Sequence, residues 1–314
     1  MALNIIVSQP QDAFRPTDFL APKFWPIWLG IGIIRSIPLL PYPLLLRLGK
    51  GMGYLMYRLM PKRRHIGSVN LRLCFPELGE ASRNELLIRN FQSVATAGLE
   101  TALAWWAPDK KLRSLAHYHG LEHLKNAIAN GKSVILFTAH FTCLEIGGRL
   151  LLMEQQYAGM YKRHRNDLLE AVIGRSRSKH CEIAIQQDDI RGFLRLLKNK
   201  IPVWYAPDQD LGMTRSVFAP FMGVPTATIT APGRFAKMAD ALVVPYFPTR
   251  REDGSGYDIE ILPPLENFPS GDDVADATTI NKVIEDYARK TPAQYLWLHR
   301  RFKTRPPGES SVYD

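Results

Sequence analysis

Apolar residues beyond residue 80 follow two alternating patterns, one helical and one typical of buried strands. The first helical stretch covers residues 80–106, with Leu86, Phe91 and Leu103 near one face, and ends before Pro108. The alternation that follows predicts an α/β sandwich with a largely parallel central sheet flanked by helices. We predict strands at 133–138, 157–162, 183–186, 202–206, 242–247 and 257–261, and further helices at 122–129, 144–154, 168–176, 190–198, 231–238 and 278–290.

The N-terminal part contains an apolar segment at residues 25–46. It is long enough to cross a hydrocarbon core of about 30 Å. Its interruptions are Arg35 and the prolines at 38, 41 and 43, because a charge at mid-span is costly and proline kinks or ends a helix. Three interpretations remain open: one tilted transmembrane helix, an amphipathic anchor lying in the membrane interface, or a buried hairpin of core helices.

The flanks of this segment suggest an orientation and a division of the chain. Trp25 and Trp28 suit the headgroup region, and the basic block from Arg58 to His65 is typical of a cytoplasmic flank. We therefore expect a membrane-anchored protein whose main domain lies on the cytoplasmic side. Residues 1–50 would form the anchoring segment and residues 51–314 the main domain.

Composition narrows the class of protein. The 314 residues are 46% hydrophobic, which is ample for a folded core, and carry a formal net charge of +10. A positive charge predicts an anionic partner, yet aromatic residues are not interleaved with the basic runs as a nucleic-acid stacking platform requires. Three scattered cysteines indicate neither a disulfide framework nor a zinc site, and favour a reducing compartment.

The pair His140 and Glu145 is the strongest candidate for catalytic chemistry. The predicted strand at 133–138 leads into His140, and Thr142 is a plausible N-cap of the next helix, which places Glu145 in the first helical turn. A neutral imidazole oriented by a carboxylate is a competent general base for a hydroxyl. The alternative is a capping box, in which Glu145 only satisfies backbone amides near Thr142.

Two other polar clusters follow predicted strands, as His140 does. They lie at residues 161–165 and 206–210. Active sites in sheets of this kind gather beyond the carboxyl ends of the strands. The three clusters are therefore expected near one another.

Several segments resemble the late lipid A biosynthesis acyltransferases, particularly the lauroyltransferase type. They are AHFTCLE at 139–145, VWYAPDQDLG at 203–212, YLWLHRRFKTRP at 295–306 and NLRLCFPE at 70–77. The wider glycerolipid and lysophospholipid acyltransferase superfamily usually has aspartate where this chain has Glu145. The resemblance implies transfer of a fatty acyl chain, by default laurate, from acyl carrier protein to a hydroxyl on a hydroxyacyl chain of bis-Kdo lipid IVA. It implies no cofactor.

The resemblance also implies roles for further residues. Arg175 and, second, Arg177 match an arginine motif suited to phosphate, and Asp208 is expected to position an arginine or a substrate hydroxyl. Solvated helix-end charges and a turn aspartate are the alternatives. For Arg149 an ion pair and a phosphate contact remain open.

For a last set of residues, a structural and a functional role both remain open. Asp210 is either a turn residue or a site residue. Arg163, with Lys162, His164 and Arg165, is either a solvated face or a phosphate site. The tail residues His299, Arg300 and Arg301 are expected at the lipid surface or facing acidic carrier protein. Oxyanion donors are expected among the amides at 142–144 or from a guanidinium.

Two rival functions use the same features. One is a glycerol-phosphate or lysophospholipid acyltransferase with the same His-carboxylate pair. The other is a basic membrane-bound lipid-binding protein with a spent site. The sequence lacks the G-x-S-x-G, H-E-x-x-H and dinucleotide-loop motifs, so it gives no sign of a serine hydrolase, a zinc enzyme or a nucleotide cofactor.

Overall fold

The computed structural model describes residues 15–161, 163–164, 166–181 and 183–314. The central sheet has five strands: β1 (Ala116–His119), β2 (Ser133–Phe137), β5 (Val203–Tyr205), β8 (Ala241–Arg250) and β9 (Tyr257–Ile261). Their order across the sheet is β1-β9-β8-β2-β5. β2 pairs in parallel with both β5 and β8, β9 is antiparallel to β8, and β1 is parallel to β9.

Two short strands extend this sheet beyond β5. β3 (Gly159–Tyr161) is parallel to β4 (Ala184–Gln186), and Ala158 forms a parallel bridge with Val203 of β5. A separate antiparallel hairpin, β6 (Ser216–Phe221) and β7 (Val224–Ile229), packs against the last helix.

Helices cover both faces of the sheet. In β2, Ile135 and Phe137 belong to one hydrophobic cluster and Val134 and Leu136 to the other, because successive side chains of a strand point to opposite faces. The predicted α/β sandwich with a mostly parallel sheet is therefore confirmed. The helices are α1 (Trp25–Ser36), α2 (Tyr42–Leu59), α3 (Pro61–Cys74), α4 (Glu80–Trp106), α5 (Asp109–Arg113), α6 (Leu121–Ala129), α7 (Leu144–Leu152), α8 (Asp167–Ser178), α9 (Ile190–Lys198), α10 (Ala231–Ala239) and α11 (Asp273–Lys290).

Most predicted elements are present, and α4 has the predicted bounds. The prediction omitted α3, α5, β1 and the β6-β7 hairpin. It also placed the start of α11 at residue 278, whereas this helix begins at Asp273 because the Asp272 side chain caps it by accepting from Val274 N and Ala275 N.

The N-terminal segment forms two helices instead of one long helix. A 3-10 turn at Ile37–Leu39 and extended backbone at Pro41 separate α1 from α2. Within the described ranges, no helix combines the length and hydropathy needed to cross a bilayer, so the predicted transmembrane helix is not supported.

α2 instead lies tightly against α4. A Cβ atom at Gly49 would clash with Thr96, and one at Gly53 with Gln92, so the two backbones approach as only glycine permits. The predicted boundary at residue 50 falls inside α2, and the division into two domains stays a prediction.

Candidate active site

His140 lies in the turn between β2 and α7, and the C-terminal tail holds that turn in place. The Thr142 amide donates to the Gln294 carbonyl at 2.7 Å, and the Leu296 amide donates to the His140 carbonyl at 3.0 Å. Phe141 forms an antiparallel bridge with Tyr295 between these two bonds. The turn is therefore bound to the tail backbone on each side of Phe141, the residue after His140.

Asp208 is the hydrogen-bond partner of the His140 side chain. Its Oδ1 lies 2.6 Å from Nδ1 of His140, and its Oδ2 accepts from the His140 amide at 2.9 Å. The two residues follow the neighbouring parallel strands β2 and β5, which explains how positions 68 residues apart meet at one edge of the sheet. Asp208 is only 3% exposed, so this carboxylate is held rigidly against the ring.

This contact changes the acid-base properties of both groups. Burial alone would lower the pKa of His140, but the charge and hydrogen bond of Asp208 outweigh it and raise that pKa above its ordinary value. Burial alone would raise the pKa of Asp208, yet its contacts with His140 lower it to about 2. An ionised Asp208 favours the tautomer with the proton on Nδ1, which leaves the lone pair on Nε2.

The second ring nitrogen of His140 is open for chemistry. Nε2 has no hydrogen-bond partner among the described residues, and the side chain is 28% exposed. A basic nitrogen that is oriented from behind by a buried carboxylate and accessible in front is the arrangement of a general base.

Glu145 does not orient His140, contrary to the sequence prediction. It lies in the first turn of α7 as expected, but its Oε1 accepts from Arg177 Nε at 2.9 Å and from Trp105 Nε1 at 2.7 Å. Its Oε2 accepts from the Arg177 Nη2 at 2.8 Å. Both oxygens therefore face α8 and α4, and no hydrogen bond joins Glu145 to His140 in the described structure.

The capping-box alternative also fails. Cys143 is the N-cap residue of α7, and no side chain makes a capping hydrogen bond there. The Thr142 hydroxyl lies 2.7 Å from that of Ser93 on α4. Two of the amides expected to serve as oxyanion donors are already engaged, since that of Thr142 donates to Gln294 and that of Leu144 donates to the Phe141 carbonyl at 3.1 Å.

The predicted arginines occupy three different environments. Arg177 forms the bidentate ion pair with Glu145. Arg175 lies two residues earlier on α8; it is exposed and has no ion pair among the described residues. Arg149 is 6% exposed and pairs with Asp109, which favours the structural interpretation over a phosphate contact.

Arg163 and Asp210 have partners other than His140. Arg163 is exposed and lies 3.4 Å from Asp167 on the next helix. Asp210 is buried and accepts from the amide and hydroxyl of Thr304, each at 2.8 Å, so it ties the tail to the turn after β5. Lys162 and Arg165 lie outside the described residues.

Among the tail residues, Arg301 is more deeply buried than expected, whereas Arg300 is exposed. Arg301 is 2% exposed and donates to the Ala227 carbonyl at 2.9 Å, so it is not at a lipid surface. Its guanidinium lies over the Phe221 ring. The positive charge of Arg301 also favours the ionised form of Asp208.

A buried ion pair that the sequence analysis missed supports the His140 turn. Arg250 donates from Nε and Nη2 to the two oxygens of Glu100, each at 2.6 Å, and Tyr257 donates to the same carboxylate at 2.8 Å. The Arg250 amide donates to Gln294 Oε1 at 2.8 Å, which connects this pair to the tail residue whose carbonyl accepts from Thr142 in the His140 turn. The sequence signal that could have revealed this ion pair is a charged residue, Arg250, at the end of the long apolar strand β8.

A cavity of about 410 Å³ opens beside Glu145 and Arg177. Its walls are mainly apolar and come from α4, α7, α8 and strands β3 to β5. Cavities of this size, with apolar walls and a few polar groups, are typical small-molecule sites. The lining includes Trp105, Gly148, Tyr157, Gly159 and Gly174.

Comparisons with known proteins place this site in a family. A family model for bacterial lipid A biosynthesis acyltransferases matches residues 13–304. The chain is 39% identical to the lipid A biosynthesis lauroyltransferase of Escherichia coli (strain K12), over 95% of this chain and 97% of that protein. It is 38% identical to the lipid A biosynthesis palmitoleoyltransferase of the same strain, over 97% of this chain and 99% of that protein. It is 30% identical to the lipid A biosynthesis myristoyltransferase of that strain, over 94% of this chain and 92% of that protein.

These matches span nearly the whole chain, and they include the His140 turn, the Asp208 turn and most of the tail. Two relatives of almost equal similarity carry names with different acyl chains, so overall identity does not determine chain length here. The chain belongs to the bacterial lipid A biosynthesis acyltransferase family.

Proposed function

We propose that this acyltransferase moves a fatty acyl chain, by default laurate, from acyl carrier protein to a hydroxyl on a hydroxyacyl chain of bis-Kdo lipid IVA. The observation that carries the proposal is the His140–Asp208 pair, with Nδ1 bound at 2.6 Å and Nε2 open. Family membership supports acyl transfer in lipid A biosynthesis. The acyl carrier thioester and the acceptor hydroxyl come from the resemblance.

The reaction needs one proton shuttle. His140 Nε2 takes the proton of the acceptor hydroxyl while that oxygen attacks the thioester carbonyl. The tetrahedral intermediate expels the carrier thiolate, which takes the proton back from His140, so that an ester and a free thiol result. Asp208 stabilises the imidazolium formed between the two steps, as a buried carboxylate does in catalytic triads.

Glu145 and Arg177 would position the donor. Two of the five guanidinium N–H groups of Arg177 bind Glu145, and the others have no hydrogen-bond partner among the described residues. Those donors suit a thioester oxygen or a phosphate group. Arg175 and Arg163 are both exposed, and they would bind a phosphate group of the acyl carrier protein's arm or of the lipid acceptor.

The cavity beside this ion pair would hold the acyl chain. Its apolar walls match a hydrocarbon chain, and Glu145, which lines it, lies in the first turn of α7 directly after the His140 turn. Burying a chain there stabilises the complex by about 0.8 kcal/mol for each methylene. The thioester end would then lie toward the His140 turn.

A membrane-facing surface would deliver the lipid acceptor. Exposed apolar side chains recur every three or four residues on α1 and α2, so each helix presents one apolar stripe. Exposed basic residues without ion pairs among the described residues border it, which suits an anionic leaflet. The stripe residues are Trp25, Leu29, Ile33, Leu44, Leu48, Met52, Leu55 and Leu59; the basic ones are Arg35, Arg47, Lys50, Arg58 and Lys62.

This surface fits the interfacial interpretation, with the catalytic domain on the cytoplasmic side of the inner membrane. The double variant Leu48→Asp, Leu55→Asp should weaken binding to vesicles containing anionic phospholipid by roughly a hundredfold, since two leucines lose their burial. Val274→Asp, at an exposed apolar residue of α11, is the matched control. Unchanged flotation of the double variant would contradict the interfacial anchor.

Product analysis tests the proposed reaction. The purified protein is incubated with dodecanoyl acyl carrier protein and, in separate reactions, with bis-Kdo lipid IVA, glycerol 3-phosphate or a lysophospholipid. Mass spectrometry should show one added dodecanoyl group on the lipid A precursor only. Acylation of glycerol phosphate or lysophospholipid instead would support the rival enzyme, and binding without any product would support a lipid-binding protein.

A further inference from the structure

The acyl-chain cavity contains one position where the protein leaves space that a side chain would fill. Three glycines line the cavity: Gly148 on α7, Gly159 on β3 and Gly174 on α8. A Cβ at Gly148 would lie 2.9 Å from the Tyr157 hydroxyl, and one at Gly159 would lie 3.7 Å from the sulfur of Cys181. A Cβ at Gly174 would meet nothing within 4 Å.

The open space at Gly174 faces the cavity. On α8 the cavity-lining residues are Glu170, Ile173, Gly174, Arg177 and Ser178. Their spacing of three and four residues defines a single helical face, and Gly174 lies roughly 30° from its centre at 100° per residue. A side chain at position 174 would therefore project into the volume available to the bound ligand.

Helix geometry does not require glycine at this position, and glycine there makes the helix less stable. Glycine inside a helix is less favourable than alanine by roughly 1 kcal/mol, and Gly174 is an interior residue of α8 with no positive φ angle. A turn or a clash explains Gly120 and Gly53, but neither applies here. Gly174 differs from Gly98, another helical glycine with nothing within 4 Å, because Gly174 lines the cavity, where a side chain would take up space for a ligand.

We propose that Gly174 is a determinant of acyl-chain length, and that the absence of a side chain there admits the longer donors. The inference rests on the proposed function, because it assumes that the acyl chain occupies this cavity. A single methylene misplaced in an apolar pocket changes discrimination by roughly 10- to 200-fold. Substitutions of increasing size at one residue should therefore shift the preferred chain length stepwise.

The experiment compares Gly174→Ala and Gly174→Leu with the wild type, using acyl carrier protein thioesters of graded chain length. The ratio of kcat/KM for the longest accepted donor to that for a donor about four carbons shorter should fall in Gly174→Ala and fall further, by at least about tenfold in total, in Gly174→Leu. Thermal stability should not fall, since both residues are better helix formers than glycine. Gly98→Leu, at an exposed helical glycine of α4 with nothing within 4 Å, should leave the donor profile unchanged.

The outcomes separate this inference from the proposed function. If the wild type transfers acyl groups and both variants at 174 keep its donor profile, the inference is overturned. If Gly174→Leu loses all donors equally while remaining folded, position 174 does not act on chain length and the inference also fails. If the wild type acylates no lipid acceptor from any donor, the proposed function itself fails.

Discussion

Replacing Asp208 with asparagine should show that this residue, and not Glu145, governs the base. Asparagine keeps the size of the side chain but removes its charge, and its amide N–H₂ would donate to Nδ1 of His140. The ring would then carry its proton on Nε2, which is the wrong tautomer for a base at that atom. Burial would remain as the main influence on the ring and would lower the pKa of His140.

The expected loss of activity in Asp208→Asn can be worked out from the His140–Asp208 pair. The pKa of Asp208 falls from 3.8 to about 2 although burial alone would raise it. That net fall corresponds to roughly 2 kcal/mol in favour of the ionised carboxylate. A charge-assisted hydrogen bond contributes about the same amount, 1.5–3 kcal/mol. Loss of an oriented general base should lower the plateau of kcat/KM by about 10²- to 10⁴-fold.

The assay is the pH dependence of kcat/KM for acyl transfer, between about pH 5 and 8. In the wild type, activity should rise with pH through the raised pKa of His140, because only the neutral ring accepts a proton. In Asp208→Asn the acid limb should move to lower pH while the plateau falls. Asp210→Asn is the matched control, since Asp210 binds Thr304 and not His140. An acid limb that stays in place in Asp208→Asn would refute the reasoning.

The same pair predicts how stability depends on pH. The lowered pKa of Asp208 gives stabilisation that is present above 3.8 and is lost as pH falls to about 2. The raised pKa of His140 gives stabilisation that is present below 6.5 and is lost as pH rises through the folded-state pKa. The melting-temperature difference between wild type and Asp208→Asn should therefore be largest at mildly acidic pH. A difference that grows steadily toward alkaline pH would contradict this assignment.

Two further variants test the surroundings of the base. Glu145→Gln should lower kcat/KM, because Arg177 loses its charged partner, but should leave the acid limb in place; an acid limb that shifts as in Asp208→Asn would show that Glu145 acts on His140. Glu100→Gln should lower the free energy of unfolding by roughly 3 kcal/mol, because it leaves the buried charge of Arg250 unpaired. Replacing both members of that pair with methionine should lower it less, and equal losses measured by denaturant titration would mean that the unpaired charge is not the cause.

Local patterns in the sequence predicted the helices and strands around the site well. The turn at His140 lies between a predicted strand and a predicted helix because short apolar runs and helical periodicity report burial directly. The omitted β1 has only four residues, and the hairpin at 216–229 is less regularly alternating, so neither gave a clear signal. The prolines at 38, 41 and 43 indicated the break between the two N-terminal helices. The apolar pattern did not decide whether these helices lie in a membrane or against α4, because that depends on packing.

The partner of His140 was harder to predict because it depends on strand order. The sequence placed His140 and Asp208 at the carboxyl ends of strands, but not on neighbouring strands. Glu145 was the nearest carboxylate along the chain, whereas Asp208 is the nearest across the sheet. Likewise, the burial of Arg301 and its effect on Asp208 arise from packing of the tail, which no local pattern reports.

The most direct test of the account is acyl transfer by His140→Ala, measured by mass spectrometry of bis-Kdo lipid IVA after incubation with dodecanoyl acyl carrier protein. His117→Ala, at an exposed histidine on β1 at the far edge of the sheet, is the control. The wild type and His117→Ala should add one acyl chain, while His140→Ala should add none although it folds and binds vesicles as the wild type does. Transfer by His140→Ala at the wild-type rate would contradict the assignment of His140 as the general base.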